Sequence, residues 1–123
     1  MTDLYVRFMA PVTPLSAERL LNIVDKALRD GIQKLHLLIN SPGGSVSHGL
    51  AIHNFLKGIP LEICTYNFGT VDSIGVTIYC AGKTRFSVPH ARFLLHPVAA
   101  SVQGHLDEAR ITEVLNFGNS RFI

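Results

Sequence analysis

Charge is scarce in this chain: Asp, Glu, Lys and Arg make up 16% of its 123 residues, against 47% apolar. The basic residues are scattered, with no run of Lys and Arg, and the formal net charge is only +2. That excludes the basic footprint of a nucleic-acid binder. Cysteine is nearly absent. Cys64 and Cys80 form no C-x-x-C and sit among apolar neighbours, so buried, reduced thiols are expected, as in a cytoplasmic protein. His48 and His53 are five apart and point to different faces of a helix, which is not a metal-ligand spacing. No stretch approaches the ~20 apolar residues of a membrane span, and no signal peptide heads the chain. Neither G-x-G-x-x-G nor G-x-x-x-x-G-K-[ST] is present, so no phosphate-bearing cofactor is expected. Repeats, linkers and low-complexity segments are missing as well.

What is there fits a single domain. A chain of this length buries roughly two-thirds of its unfolded surface, enough for a real core. Its low charge points to surface covered by partner subunits. Short apolar runs alternate with helical segments. Leu4 to Met9 reads as a strand, broken by Ala10-Pro11-Val12-Thr13-Pro14. A helix capped by Ser16 is expected to run to Asp30, with Leu20, Val24, Ala27 and Leu28 on its apolar face and Gly31 ending it. Lys34 to Asn40 is the next strand, followed by a turn at Ser41 to Gly44 and a helix from Ser45 to Leu56. Leu61 to Tyr66 reads as a strand and Asn67 to Asp72 as a polar, glycine-containing turn. Ser73 to Ala81 is a buried helix or strand. Thr84 to Val88 and Ala91 to His96 close the strand pattern, and helical periodicity returns from Gln103. This succession predicts an α/β fold of repeated βαβ units around a mainly parallel sheet, covered on both faces by crossovers. In such sheets the chemistry sits at the carboxyl ends of the strands.

Three features could carry chemistry there. Ser41-Pro42-Gly43-Gly44-Ser45 joins a strand to a helix. Its paired glycines allow a sharp turn with exposed amides that suit a developing oxyanion. The plainer reading is a tight turn with Ser45 as cap. Gly69-Thr70-Val71-Asp72-Ser73-Ile74-Gly75 also leads from a strand to a helix, placing the Ser73 hydroxyl and the Ile74 amide at one spot. The plainer reading is that Ser73 or Asp72 is an N-cap. His96 ends an apolar strand, held extended by Pro97. The plainer reading is a histidine bonded to backbone. His36, His48, His53, His90 and His105 are read as structural. In combination, an oxyanion turn, a helix-start serine and a strand-end histidine match nucleophile, base and oxyanion donors.

Ile39-Asn40-Ser41-Pro42-Gly43-Gly44-Ser45-Val46, then Gly69-x-x-x-Ser73-x-Gly75, then Arg92-x-x-x-His96, then Gln103-Gly104 resemble the proteolytic subunit of the Clp protease. Each motif is weak alone; four in register from about Leu4 to Gly104 are specific. The resemblance implies a ClpP/crotonase-like fold, Ser73 as nucleophile and His96 as general base. It implies that the amides of Gly44 and Ile74 form the oxyanion hole, with Gly43 shaping it. It also implies a homo-oligomeric ring, peptide or unfolded protein as substrate, and an ATP-driven unfoldase that feeds the ring. The family's substrates lie as extended strands beside the active-site groove.

The family's triad ends with an Asp that follows a long helix well beyond the histidine, and no residue here matches it. Asp72, Asp107, Glu108 and Glu113 are the available carboxylates, and none is singled out. The expected single domain, residues 1–123, therefore lacks the C-terminal part of the family fold, and the first strand begins too near Met1 for the family's N-terminal pore loop. Loss of the orienting acid can cost about 10⁴ in rate. The alternatives are a catalytically weak or inactive structural subunit, and a crotonase-fold acyl-CoA enzyme, which shares the oxyanion turns but needs no Ser–His pair.

Overall fold

The computed structural model describes residues 2–95. His96, Gln103-Gly104 and the helix expected from Gln103 lie outside the described residues.

The chain opens with β1 (Asp3–Phe8), whose register with β2 (Lys34–Ser41) is parallel throughout. Between them runs α1 (Pro14–Arg29). Its cap is Thr13, not Ser16. Proline at the first helical position forces the residue before it to be extended, and Thr13 is so, with φ −130° and ψ 165°. Ser16 instead closes a capping box: its amide donates to Thr13 Oγ1 at 3.0 Å, and the Thr13 amide donates to Ser16 Oγ at 2.9 Å. Ala17, Leu20, Val24 and Ala27 form the buried stripe of α1 at helical spacing.

From β2 the chain enters α2 (Val46–Gly58), then β3 (Glu62–Asp72), the short α3 (Ile74–Tyr79), β4 (Thr84–Ser87) and β5 (Arg92–Leu94). All strand pairings are parallel. The order is β1-β2-β3-β4, and β5 joins the far half of β3.

The polar segment from Asn67 to Asp72, expected as a turn, is the second half of β3. Ile39 pairs with Asn67 and Ser41 with Val71, so β3 bulges against β2 between them. Two asparagines supply the bonds that the ladder loses there. Asn40 Oδ1 accepts from the Thr70 amide at 2.9 Å, and Asn67 Oδ1 accepts from the Gly69 amide at 3.1 Å. Asn67 Nδ2 donates to the carbonyl of Arg92 at 2.8 Å and so ties down β5, which pairs with Thr70 to Asp72.

One face of the sheet is the core. Val6, Phe8, Leu35, Leu37, Ile39 and Ile63 pack there with Leu20 and Val24 of α1, Ile52 and Leu56 of α2, and Ile74, Val76 and Ile78 of α3. Burying each large aliphatic side chain contributes about 1.5–3 kcal/mol before the entropy of ordering it. The other face carries Tyr5, His36, Cys64, Tyr66 and Phe86, and none of these belongs to the core cluster. Two-sided coverage by crossovers was the expectation; among the described residues the helices cover only the first face.

On the second face Tyr5 stacks on His36 with ring centres 4.1 Å apart, and Tyr66 stacks on Phe86 at 4.9 Å. The buried His36 bridges Asp3 Oδ2 at 3.0 Å and the Tyr66 hydroxyl at 2.7 Å. Burial pushes the Tyr66 phenol up from its ordinary value. Cys64 and Cys80 are both buried. Among the described residues no helix is long and apolar enough to cross a membrane.

Candidate active site

Because the strands are parallel, their carboxyl ends share one edge of the sheet. Three connections meet there: the link after β1, the turn after β2 and the turn after β3.

The turn after β2 needs its glycines. Gly43 has φ 94° and Gly44 has φ 143°, both in the region that side chains resist. Both are also pressed by neighbours. A Cβ on Gly44 would collide with the carbonyl oxygen of Val12, and one on Gly43 would lie 2.9 Å from Cβ of Ser73. Val12 clamps the turn as an isolated parallel bridge. Its amide donates to the carbonyl of Gly43 at 2.8 Å, and its carbonyl accepts from the Ser45 amide at 2.8 Å. The amide of Gly43 donates to Ser41 Oγ at 3.2 Å. These bonds engage the amides on either side of Gly44, and the Gly44 amide takes part in none of them. Ser45 caps α2, accepting from the His48 amide, so the plain capping role coexists with the shaped turn.

The turn after β3 is a single residue. Ser73 has φ 53° and ψ −123°, the one positive φ at a non-glycine among the described residues. A side chain held in that region costs about 1–3 kcal/mol and persists only where its surroundings enforce it. Here they do. The Ser73 amide donates to the carbonyl of Leu94 at 2.9 Å, its carbonyl accepts from the Val76 amide at 3.0 Å, and Val71 and Ile74 on either side are buried. The sharp strand-to-helix turn leaves Ser73 exposed between two buried elements. Its hydroxyl makes no capping bond to α3. Ser73 therefore occupies the N-cap position of α3, but its side chain does not serve as the cap.

Gly43, Gly44, Ser73 and Ile74 are thus brought together, the turn after β2 in contact with the turn after β3. Packing behind them is close. A Cβ on Gly49 in α2 would collide with Ile74 Cγ1, so α2 sets the start of α3. His96 lies outside the described residues; the described chain reaches its neighbourhood through β5, whose Leu94 carbonyl is bonded to Ser73.

The residue beside Ser73 has its own peculiarity. Oδ1 of Asp72 is buried and has no hydrogen-bond partner among the described residues. It does not cap α3 either. Three participants escaped the sequence reading. Val12 gives no signal, being an ordinary β-branched residue between two prolines. Asn40 and Asn67 do leave one: asparagine is disfavoured inside strands, so its presence within β2 and β3 calls for a bonding role.

The family model of the Clp protease matches residues 5–116. "ATP-dependent Clp protease proteolytic subunit 1" of Corynebacterium jeikeium is 42% identical over 77 residues, covering 61% of this chain and 41% of that protein. The subunit of the same name in Mycobacterium leprae is 40% identical over 80 residues, covering 63% of this chain and 40% of that protein. The chain spans about two-fifths of the length of these curated relatives. Among solved structures, a mutant of ClpP1 from Listeria monocytogenes superimposes with a TM-score of 0.75 at 26% identity, over 94% of this chain and 66% of that one. The ClpP protease catalytic domain of Plasmodium falciparum gives a TM-score of 0.79 at 24% identity, over 95% of this chain and 65% of that one, which is likeness of fold.

Proposed function

Because this chain belongs to the Clp protease family, we propose that it is a serine-type peptidase subunit, with Ser73 as nucleophile and His96 as general base. The observation that carries the reading is Ser73 itself: exposed, uncapped, and held at φ 53° against the glycine turn of Gly43. A serine held in a strained turn between strand and helix is the arrangement that presents a hydroxyl for attack.

In this reaction His96 takes the Ser73 proton as Oγ adds to the peptide carbonyl. The carbonyl oxygen becomes an oxyanion, received by the amides of Gly44 and Ile74, while Gly43 keeps the turn close to Ser73. One such donor is typically worth about 10²–10³ in kcat. The tetrahedral centre collapses, the C–N bond breaks, and the leaving amine takes the proton from the imidazolium. Water then adds to the Ser73 ester with His96 again as base, releasing the acid and restoring the hydroxyl.

The substrates are peptides and unfolded proteins, bound in extended form. The chain acts as a single domain within a homo-oligomeric ring in the cytoplasm and uses no metal or cofactor. The buried thiols of Cys64 and Cys80 agree with a reducing compartment.

A fluorophosphonate probe tests the nucleophile. We expect one covalent adduct, mapped to Ser73 by mass spectrometry, and none in Ser73→Ala. An assembled, folded preparation that hydrolyses peptides equally well with and without the Ser73 hydroxyl would refute the reading.

A further inference from the structure

A serine that caps a helix needs one bond: its hydroxyl oxygen accepts from an amide of the first turn, and its own proton is left to solvent. Ser45 does more. The His48 amide donates to Ser45 Oγ at 3.4 Å, a long bond, while His48 Nδ1 lies only 2.7 Å from the same oxygen. Ser47 Oγ stands 3.3 Å from Ser45 Oγ and 3.4 Å from His48 Nδ1, so it is the more distant partner of both. Because Ser45 Oγ is occupied as an acceptor, its one proton is available to Nδ1, which leaves the ring proton on Nε2. Burial does not force this bond. Ser45 and His48 are half-buried, and a half-exposed imidazole can bond to water instead.

Its place in the fold gives the bond a use. Ser45 directly follows Gly44, and its amide is held by the Val12 carbonyl at 2.8 Å. Its own carbonyl accepts from the Gly49 amide at 3.0 Å, and Ile74 packs so closely on Gly49 that a Cβ there would meet Ile74 Cγ1. The first turn of α2 therefore adjoins both residues whose amides receive the oxyanion: Gly44 through Ser45, and Ile74 through Gly49. Gly44 itself, at φ 143°, has no side chain to fix it. What sets the residue after it against the helix is the Ser45 side chain, and the short bond of that side chain is the one to His48.

We propose that His48 is a positioning residue for the oxyanion donors: its Nδ1 accepts the Ser45 proton and holds the residue after Gly44 against the first turn of α2. It acts through Ser45 and needs no contact with substrate. This inference rests on the reading of Ser73 as nucleophile and of Gly44 and Ile74 as oxyanion donors.

The test uses the full chain in its assembled form and two readouts: the rate of Ser73 labelling by a fluorophosphonate, and steady-state hydrolysis of a fluorogenic peptide. His48→Ala removes the acceptor. A displaced donor loses part of the factor of about 10²–10³ that a whole one supplies. Labelling and kcat should each fall about tenfold, with KM changed less than about threefold. Asparagine offers Oδ1 near the place of Nδ1, so His48→Asn should return to within about threefold of wild type. Ser45→Ala should also cost about tenfold. The double variant should lose no more than about twofold beyond either single one, because both act through one bond. Ser47→Ala should stay within about twofold of wild type.

Wild-type kcat and labelling in His48→Ala refute the assignment. A raised KM at unchanged kcat replaces it with a contact to substrate. A double variant about a hundredfold down, the product of two independent losses, shows that His48 does not work through Ser45. If His48→Ala does not fold, His48→Phe decides, since it keeps a ring and lacks Nδ1: wild-type kcat there sinks the positioning role. All of these outcomes leave the peptidase reading standing while Ser73→Ala is inactive. Equal hydrolysis by wild type and Ser73→Ala overturns that reading, and this inference with it.

Discussion

Replacing Gly43 with alanine puts a methyl group 2.9 Å from Cβ of Ser73 and 3.0 Å from the carbonyl oxygen of Asp72. Two costs follow, and a second glycine separates them. Gly31, at φ 78°, has nothing within 4 Å of the position a Cβ would take. Gly31→Ala therefore meets only the backbone penalty of the left-handed region, about 1 kcal/mol. Gly43→Ala adds overpacking against backbone and Cβ atoms that cannot rotate away, about 1–3 kcal/mol more. Urea unfolding followed by circular dichroism reads the difference. With a slope of about 2 kcal/mol per molar, Gly31→Ala should lower the midpoint by about 0.5 M and Gly43→Ala by about 1–2 M. The second readout is chemical. Ordinary contact begins near 3.4 Å, so Ser73 must retreat by about half an ångström from the new methyl. On the scale in which a 1 Å misplacement costs about 10²-fold, labelling of Ser73 by a fluorophosphonate should slow about tenfold in Gly43→Ala, and not in Gly31→Ala. Equal midpoints for the two variants, with wild-type labelling in both, would show that the glycine turn does not press on Ser73.

Two further expectations concern the supports of the site and the open face. Gly49→Ala drives a methyl into Ile74, the residue after Ser73, so it should both destabilise the fold by about 1–3 kcal/mol and slow labelling, whereas Gly58→Ala, with open space around it, should leave labelling unchanged. On the second face, the hydrogen bond from His36 is the main cause that holds the Asp3 carboxyl below its ordinary value of 3.8. A depressed folded value means the contribution is present above the unfolded value and is lost as pH falls through the folded one. Wild type should therefore unfold at higher urea than Asp3→Asn at pH 6, with the gap closing as pH drops below about 3.8; a gap of constant size would refute the linkage.

The apolar spacing of Leu20, Val24 and Ala27 was enough to read α1, and the runs at Leu35 to Ile39 and Ile63 to Thr65 were enough to read buried parallel strands, because burial on the core face leaves a direct imprint on sequence. The chemistry of capping was less legible. Ser16 and Thr13 are both good caps, and only the constraint that Pro14 puts on the residue before it decides between them. The second half of β3 was hidden for a different reason. Asn67 and Gly69 lack strand character, and what holds this segment as a strand includes side-chain bonds across the sheet, from the Thr70 amide to Asn40 and from Asn67 to the Arg92 carbonyl. Such non-local bonds have no period. At the candidate site, Gly43, Gly44, Ser73 and Ile74 could be named from the order of motifs, and the structure brings Gly43 against Ser73. The sealed oxygen of Asp72 could not be, since exposure of a single carboxylate atom depends on everything packed around it.

The bridge through Val12 bears on the order in which the protein is made. The Gly43-Gly44 turn is clamped on one side by the connection that follows the first strand and pressed on the other by the end of the third. Neither support is local, and glycines released from such supports wander over a wide range of conformations. A nascent chain that has emerged only as far as the second helix holds Val12 but has no Ser73 against which to set the turn. Nor is Ser73 kept at its unfavourable dihedral until Leu94 arrives to take its amide. The turn and the serine therefore acquire their final shape last and together.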